Sequence, residues 1–159
     1  LDETQMTDER IPGYKEMVKL VSDRGLSLIK MYGRMEMEMA DLSLEDQKEF
    51  MEELGIKEVG RERLIREAYK MLGLISFFTI GDDEVRAWTI PQGSTALDAA
   101  GTVHTDMARG FIRAQVVHFD DFKEHRFSMA AVREKGLLRL EGKDYVVKDG
   151  DIIEIRFNV

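Results

Sequence analysis

The chain predicts an α+β fold, with helices gathered before residue 73 and a sheet after it, and three observations predict it. In residues 74–80, LISFFTI, six of seven side chains are apolar or β-branched, the composition of a strand covered on both faces. Upstream, apolar residues recur at helical spacing in 12–25, 44–54 and 61–72, and each stretch meets a glycine, at Gly25, Gly55 and Gly73. At the far end Ile153, Ile155 and Phe157 alternate with Glu154, Arg156 and Asn158, so the last strand has an apolar and a polar side.

Composition narrows the class. A chain of 159 residues with 43% hydrophobic content can bury a core. Cysteine is absent, which removes disulfides and thiolate metal ligands and suits a reducing compartment; the cytoplasm is the expected location. No apolar run approaches the roughly 18 residues of a membrane span, and no signal-peptide layout opens the chain, so no membrane partner is expected. Residues 1–73 hold 17 acids and 12 bases (net −5) and residues 74–159 hold 14 and 11 (net −3), summing to the −8 of the whole chain. Binding to nucleic acid by bulk charge is therefore excluded, and any RNA contact must be local. Most of the ten methionines precede Leu72, where they serve as adaptable apolar filler or line a promiscuous groove.

Taken in order, residues 1–11 are polar and read as a frayed start. Pro12 suits the first position of a helix with Tyr14, Met17, Val18 and Val21 on one face. Residues 26–31, LSLIKM, alternate like a strand whose parallel neighbours nothing else in the chain supplies, so it reads as the torn edge of a larger α/β domain. Its open backbone groups make a homodimer through residues 12–42 an expectation. A short helix over 34–42 follows, and Ser43 with Asp46 resembles a capping box for a helix with Leu44, Phe50, Met51 and Leu54 on its apolar side. The helix over 61–72 turns Leu64, Ile65, Ala68, Met71 and Leu72 inward.

After the 74–80 strand, Gly81-Asp82-Asp83 supplies a turn and 84–90 a second strand. Pro91-Gln92-Gly93 turns again, Ser94 or Thr95 caps a helix through Ala100 that Gly101 ends, and 112–117 is the third strand. Residues 120–126 read as polar connection, and Ser128 caps a helix from Met129 to Lys135 before Gly136. Residues 145–147 and 152–157 read as a closing hairpin across Asp149-Gly150, on a sheet with one buried and one wetter face. Four or five strands clasping a helix make a β-grasp, or ubiquitin-like, arrangement.

At FFTIGDDEVRAWTI, AAGTVHTDMARGFIRAQVV and GKDYVVKDGDIIEIRFNV the sequence closely resembles the C-terminal region of the YchF, or Obg-like, ATPases, and the likeness extends through 44–73 and faintly back to Pro12. The resemblance implies a TGS domain over 74–159, a helical connector over 44–73 and, in 1–43, the tail of a nucleotide-binding domain. It implies a parent that binds ATP, or GTP, with Mg and associates with ribosomes. Residues 26–36 fall where that family has its last nucleotide-domain strand and a Ser-Ala-Lys-like loop; Tyr32, Gly33 and Arg34 replace the tripeptide and Glu36 is retained. No G-x-x-x-x-G-K-[ST] stretch occurs, so no cofactor and no catalysis are expected of this chain alone.

Candidate site residues are few. His104-Thr105-Asp106 lies in a loop that resemblance to the TGS domains of stringent-response enzymes places near a transfer-RNA end; the plainer reading is that Thr105 or Asp106 caps a turn ended by Gly110 while His104 packs. Arg109, Arg113 and Arg86 are the bases nearest that loop and the second strand, and Trp88 with Arg86 could stack a base on an open sheet face or fill the core. Ribosomal or transfer RNA is the expected partner, and the missing ATPase domain the alternative one. His104, His118 and His125 lack ligand spacing, so no metal site is expected. No Gly-x-Ser-x-Gly elbow is present.

Overall fold

A computed structural model describes residues 11–158 apart from Leu54, Lys57 and Asp82. The frayed start expected over 1–11 therefore lies almost wholly outside the described residues, as do Leu54 and the middle of the Gly81–Asp83 turn. The chain divides between Met71 and Leu72 into two compact units.

The first unit is helical. Its elements are α1 (Tyr14–Asp23), α2 (Gly33–Ala40), α3 (Leu44–Glu53) and α4 (Gly60–Met71). Gly13, at φ 72°, takes the N-cap of α1, so Pro12 stands just outside the helix it was expected to open. Ser43 caps α3 as expected, its Oγ accepting from the Asp46 amide at 3.2 Å and donating to the Asp46 carboxylate at 2.7 Å. Three expectations fail here, for one reason. Residues 26–31 form no strand, because among the described residues of this unit no neighbouring strand takes up their backbone groups. Leu44 is 77% exposed, the row Leu64, Ile65 and Met71 on α4 is open rather than inward, and Leu72, just past the helix, is exposed as well. Among the described residues Met35, Met39 and Gly60 are the buried ones of this unit.

The second unit is a mixed α+β domain around one five-stranded sheet. Its strands are β1 (Leu74–Ile80), β2 (Val85–Pro91), β3 (Phe111–His118), β4 (Arg139–Glu141) and β5 (Asp151–Phe157), ordered β2-β1-β5-β3-β4. The helices are α5 (Ala96–Val103), α6 (Thr105–Arg109), α7 (Phe119–Glu124) and α8 (Met129–Glu134). Strand β1 runs antiparallel to β2 and parallel to β5, with Phe78 opposite Ile152, so β1 and the final strand share one mixed sheet as expected. Strand β5 is antiparallel to β3, which also carries β4.

Alternation along the strands builds two cores. Ile75, Phe77, Ile90, Ala114, Val116 and Ile153 pack with Ala96 and Ala99 of α5 on one face. Val117 and Ile152 pack with Phe122 of α7 and Val132 of α8 on the other. The expectation of one buried and one wetter face is corrected accordingly: both faces are covered, the second over only part of the sheet.

The second cover was hidden in the sequence because α7, FDDFKE, is polar enough to pass for a connection. His118 caps it through Nδ1, which accepts from the Asp120 amide at 3.3 Å. Its C-terminus closes with Arg126 and Phe127 both at positive φ; the Phe127 amide donates to the Phe122 carbonyl at 2.9 Å and the Arg126 amide to the Lys123 carbonyl at 3.0 Å. The Phe122–Phe127 ring contact, edge to face at 5.6 Å, accompanies that turn.

The closing hairpin is also corrected. Residue 146 makes only an isolated bridge to Thr95, and β5 finds its partners in β1 and β3, the longer strands that bury its apolar residues. Gly101 does not end α5, which runs on to Val103; the true start signal is the Thr95–Asp98 capping box, with the Asp98 amide donating to Thr95 Oγ1 at 3.3 Å and the Thr95 amide to Asp98 Oδ2 at 2.8 Å.

Candidate nucleic-acid interface

The His104-Thr105-Asp106 stretch forms the corner between α5 and α6. His104 is itself the cap: its Nδ1 accepts from the Asp106 amide at 3.1 Å, which corrects the expectation that Thr105 or Asp106 would cap while the ring packs. Asp106 in turn holds Arg109 in an ion pair of 2.9 Å, and all three side chains are exposed. Gly110 follows, where an added Cβ would run into the Asn158 carbonyl, so only glycine lets α6 end against the tip of β5. The corner thus displays a ring, a hydroxyl, a carboxylate and a guanidinium, two of which neutralise each other.

The other expected members are dispersed. Trp88 lies on the α5 face, packed against the first core, with its Nε1 donating to Thr79 Oγ1 at 2.9 Å. It is half-buried, which matches core filling; Arg86 lies over its ring at 4.1 Å and is exposed on the β2 edge. Arg113 faces the other way. A bulge between Phe111 and Arg113 breaks the alternation of β3, so that Phe111 joins the first core while Arg113 shares a face with Gln115 and Val117. Arg86 and Arg113 therefore stand on opposite faces, with β1 and β5 between their strands.

In the first unit Glu36 has a structural task. Its Oε1 accepts from the Gly60 amide at 2.5 Å and so caps α4, and a Cβ at Gly60 would collide with that carboxylate. Gly33 and Arg34 open α2, Arg34 pairing with Glu38 at 3.4 Å, while Tyr32 takes the N-cap position.

Sequence reasoning passed over a buried polar knot beside the first core. Asp151 is fully buried; its Oδ2 accepts from the Tyr145 hydroxyl at 2.8 Å and from the Lys148 amide at 2.9 Å. The Arg139 guanidinium donates to the Tyr145 oxygen at 3.0 Å and approaches Asp151 Oδ1 at 3.7 Å. Burial first, and then the bond to Asp151, push the Tyr145 hydroxyl up to about 12. Nearby, His118 Nε2 donates to the Asp149 carbonyl at 3.0 Å, and Asp149 Oδ1 accepts from the Ser76 amide at 2.8 Å, fastening the Lys148–Asp151 turn to β1. Among the described residues no group of three or more histidine, aspartate or glutamate side chains could hold a metal ion, and no helix is long and apolar enough to cross a membrane.

Comparison with known proteins agrees with this architecture. Residues 74–158 match the family model YchF-GTPase_C, described as a protein of unknown function (DUF933). The chain is 45% identical over 151 residues to the ribosome-binding ATPase YchF of Escherichia coli O157:H7, covering 95% of this chain and 41% of the relative. It is 48% identical over 132 residues to the protein of that name from Bacillus subtilis, covering 83% of this chain and 36% of the relative. It thus spans about two fifths of the length of the curated relatives it matches. Among solved structures, the YchF GTPase of Schizosaccharomyces pombe superposes with a TM-score of 0.82 at 30% identity, over 98% of this chain and 41% of that one. A GTP-binding protein of Pyrococcus horikoshii superposes at 0.62 with 20% identity, over 95% and 43%, and shares the fold. The chain belongs to the YchF family, whose C-terminal region it matches.

Proposed function

We propose that this chain is the C-terminal region of a translation-associated YchF-type nucleotidase, and that it docks on ribosomal or transfer RNA without catalysis of its own. The observation that carries the reading is the 45% identity, across 95% of the chain, to relatives named as ribosome-binding. The second unit is read as a β-grasp TGS domain, a reading supported by its strand order, the parallel β1–β5 pair at the centre and α5 packed across one face. ATP or GTP with Mg belongs to the longer parent, since the sequence here lacks the lysine-bearing phosphate loop. Its setting is the cytoplasm.

In this reading the α5–α6 corner meets the RNA with His104, Thr105 and Arg109. Substituting His104 and Arg109 together by alanine is expected to lower co-sedimentation with ribosomes; a folded double variant that sediments as the parent does would remove the corner from the interface. ATP turnover by tag-free protein should match a blank.

A second reading has its own observation. The open row Leu64, Ile65 and Met71 on α4 suits a protein contact, and in a longer parent that contact is the nucleotide-binding domain, whose state the C-terminal region would relay. Charge substitution at Ile65 would then disturb that contact and leave RNA binding alone.

A further inference from the structure

The open half of the second sheet face carries an arrangement that the fold does not require. Arg113 of β3 and Arg156 of β5 are direct cross-strand partners, both exposed and on the same face. Like charges placed opposite each other in an antiparallel pair destabilise it, because the side chains leave the sheet side by side at about 5 Å. Relief is close at hand, since Glu154 stands two residues from Arg156 on the same strand and face. Yet among the described residues neither guanidinium has a carboxylate at ion-pair distance. The pair closes the regular part of the β3–β5 ladder, since the register is unbroken from His118 back to Arg113 and shifts only beyond it, towards Phe111. Beside it, Arg133 of α8 and Glu154 line a hollow of about 210 Å³ with Ile80, Met129 and Ile152.

We infer that Arg113 and Arg156 form a two-guanidinium fork for one phosphate of an RNA backbone, on the face opposite α5. Two planar guanidinium groups offer a phosphate paired N–H donors, and a bound phosphate converts their mutual repulsion into shared attraction. This site rests on the ribosome-contact reading for its ligand, and it explains how a unit of net −3 meets RNA through a local contact. Arg133 supplies a further positive charge along the path, and the exposed aliphatic side chain of Leu140, paired with Gln115 on the same face, offers no competitor for the fork's donors.

The pair gives an unusual signature: losing either arginine should weaken binding without weakening the fold. Arg156→Gln and Arg113→Gln, each in the whole chain, are expected to keep or raise the thermal midpoint at low salt. Affinity for a short labelled single-stranded RNA should fall about tenfold, as for loss of one charge-assisted contact, and the log–log salt slope should become shallower by about 0.7. Arg24→Gln, in the first unit, should change neither. Inorganic phosphate alone should shift the Nε–H signals of Arg113 and Arg156 together and saturably. A lowered midpoint with unchanged RNA affinity in both variants overturns the fork and makes the arginines structural. Ribosome binding that survives in the double variant overturns the site and leaves the ribosome reading standing. A parent that ignores ribosomes while phosphate still shifts both arginines overturns the ribosome reading and supports the fork. Loss of ribosome binding with RNA affinity intact overturns the RNA assignment in favour of an acidic protein segment.

Discussion

The two units use the same kind of amphipathic pattern to opposite effect. In the second, the central apolar residues of β1, β3 and β5 are covered by α5 on one face and by α7 with α8 on part of the other, and Phe77, Val116, Val117 and Val132 have no exposed surface. In the first, α1 and α3 have no buried residue among those described, and α4 keeps Leu64, Ile65 and Met71 open. Periodicity states which residues share a face; it does not state whether the covering partner lies in the same stretch of chain. An isolated helix of this length gains little from propensity alone, so the first unit holds its helices with far less burial than the second.

The comparison is broken most forcefully at Phe77. Phe77→Ala empties the centre of the first core and should cost about 3–5 kcal/mol of second-unit stability, read by chemical denaturation. Ile65→Ala should stay within about 0.5 kcal/mol, as for a surface site; equal losses at the two positions would mean that the units are not packed as differently as their exposures indicate. Met35→Ala tests one of the few buried positions described in the first unit and should cost about 2–3 kcal/mol. Its helical signal should be lost while the second unit still melts as before.

A smaller effect is expected at the α5 cap. Thr95→Ala removes both the acceptor for the Asp98 amide and the hydroxyl bond to Asp98, at a cost of about 1 kcal/mol. Bonds from the Thr95 backbone and side chain hold the Asp98 carboxyl below its usual value. The stability this gives is present above the ordinary value of 3.8 and fades as pH falls through the lowered one, and Thr95→Ala should flatten that acid limb. Tyr145 is tested at the opposite end of the pH range. Its folded value of about 12 exceeds the ordinary 10, so its contribution is complete below pH 10 and is lost as pH rises towards 12. Tyr145→Phe should remove that alkaline loss in a pH series of thermal midpoints.

Much of the fold was legible because the signals were local. The run at 74–80 coincides with β1 residue for residue, Ser43 and Ser128 cap the helices expected of them, and the alternation after Asp151 marks β5. What escaped was non-local or disguised. Helix α7 carries one inward residue, Phe122, among charged ones, too few for a period to register. The short β4 exists because β3 offers it an edge, and Asp149-Gly150 shaped a turn fastened to Ser76 and His118 rather than a hairpin. Of the candidate site, the positions of His104 and Arg109 at one corner follow from their closeness in sequence. The separation of Arg113 from Arg86 does not, because it depends on which strand lies beside which and on which face of each strand the core takes.

Taken by itself, the amino-acid sequence determined the local choices: where strands and helices begin, which side chains share a face, the absence of thiol and phosphate-loop chemistry, and the likeness to the YchF C-terminal region. Tertiary structure decided the rest. It set β5 between β1 and β3, left residues 26–31 without a strand partner, covered the second sheet face in part, and brought Arg113 opposite Arg156 from positions 43 residues apart. The physical reason is range: caps and periodicity are settled within a few residues by backbone sterics and hydrogen bonding, whereas strand neighbours and the meeting of two charges are settled by which apolar faces of the whole chain can bury one another.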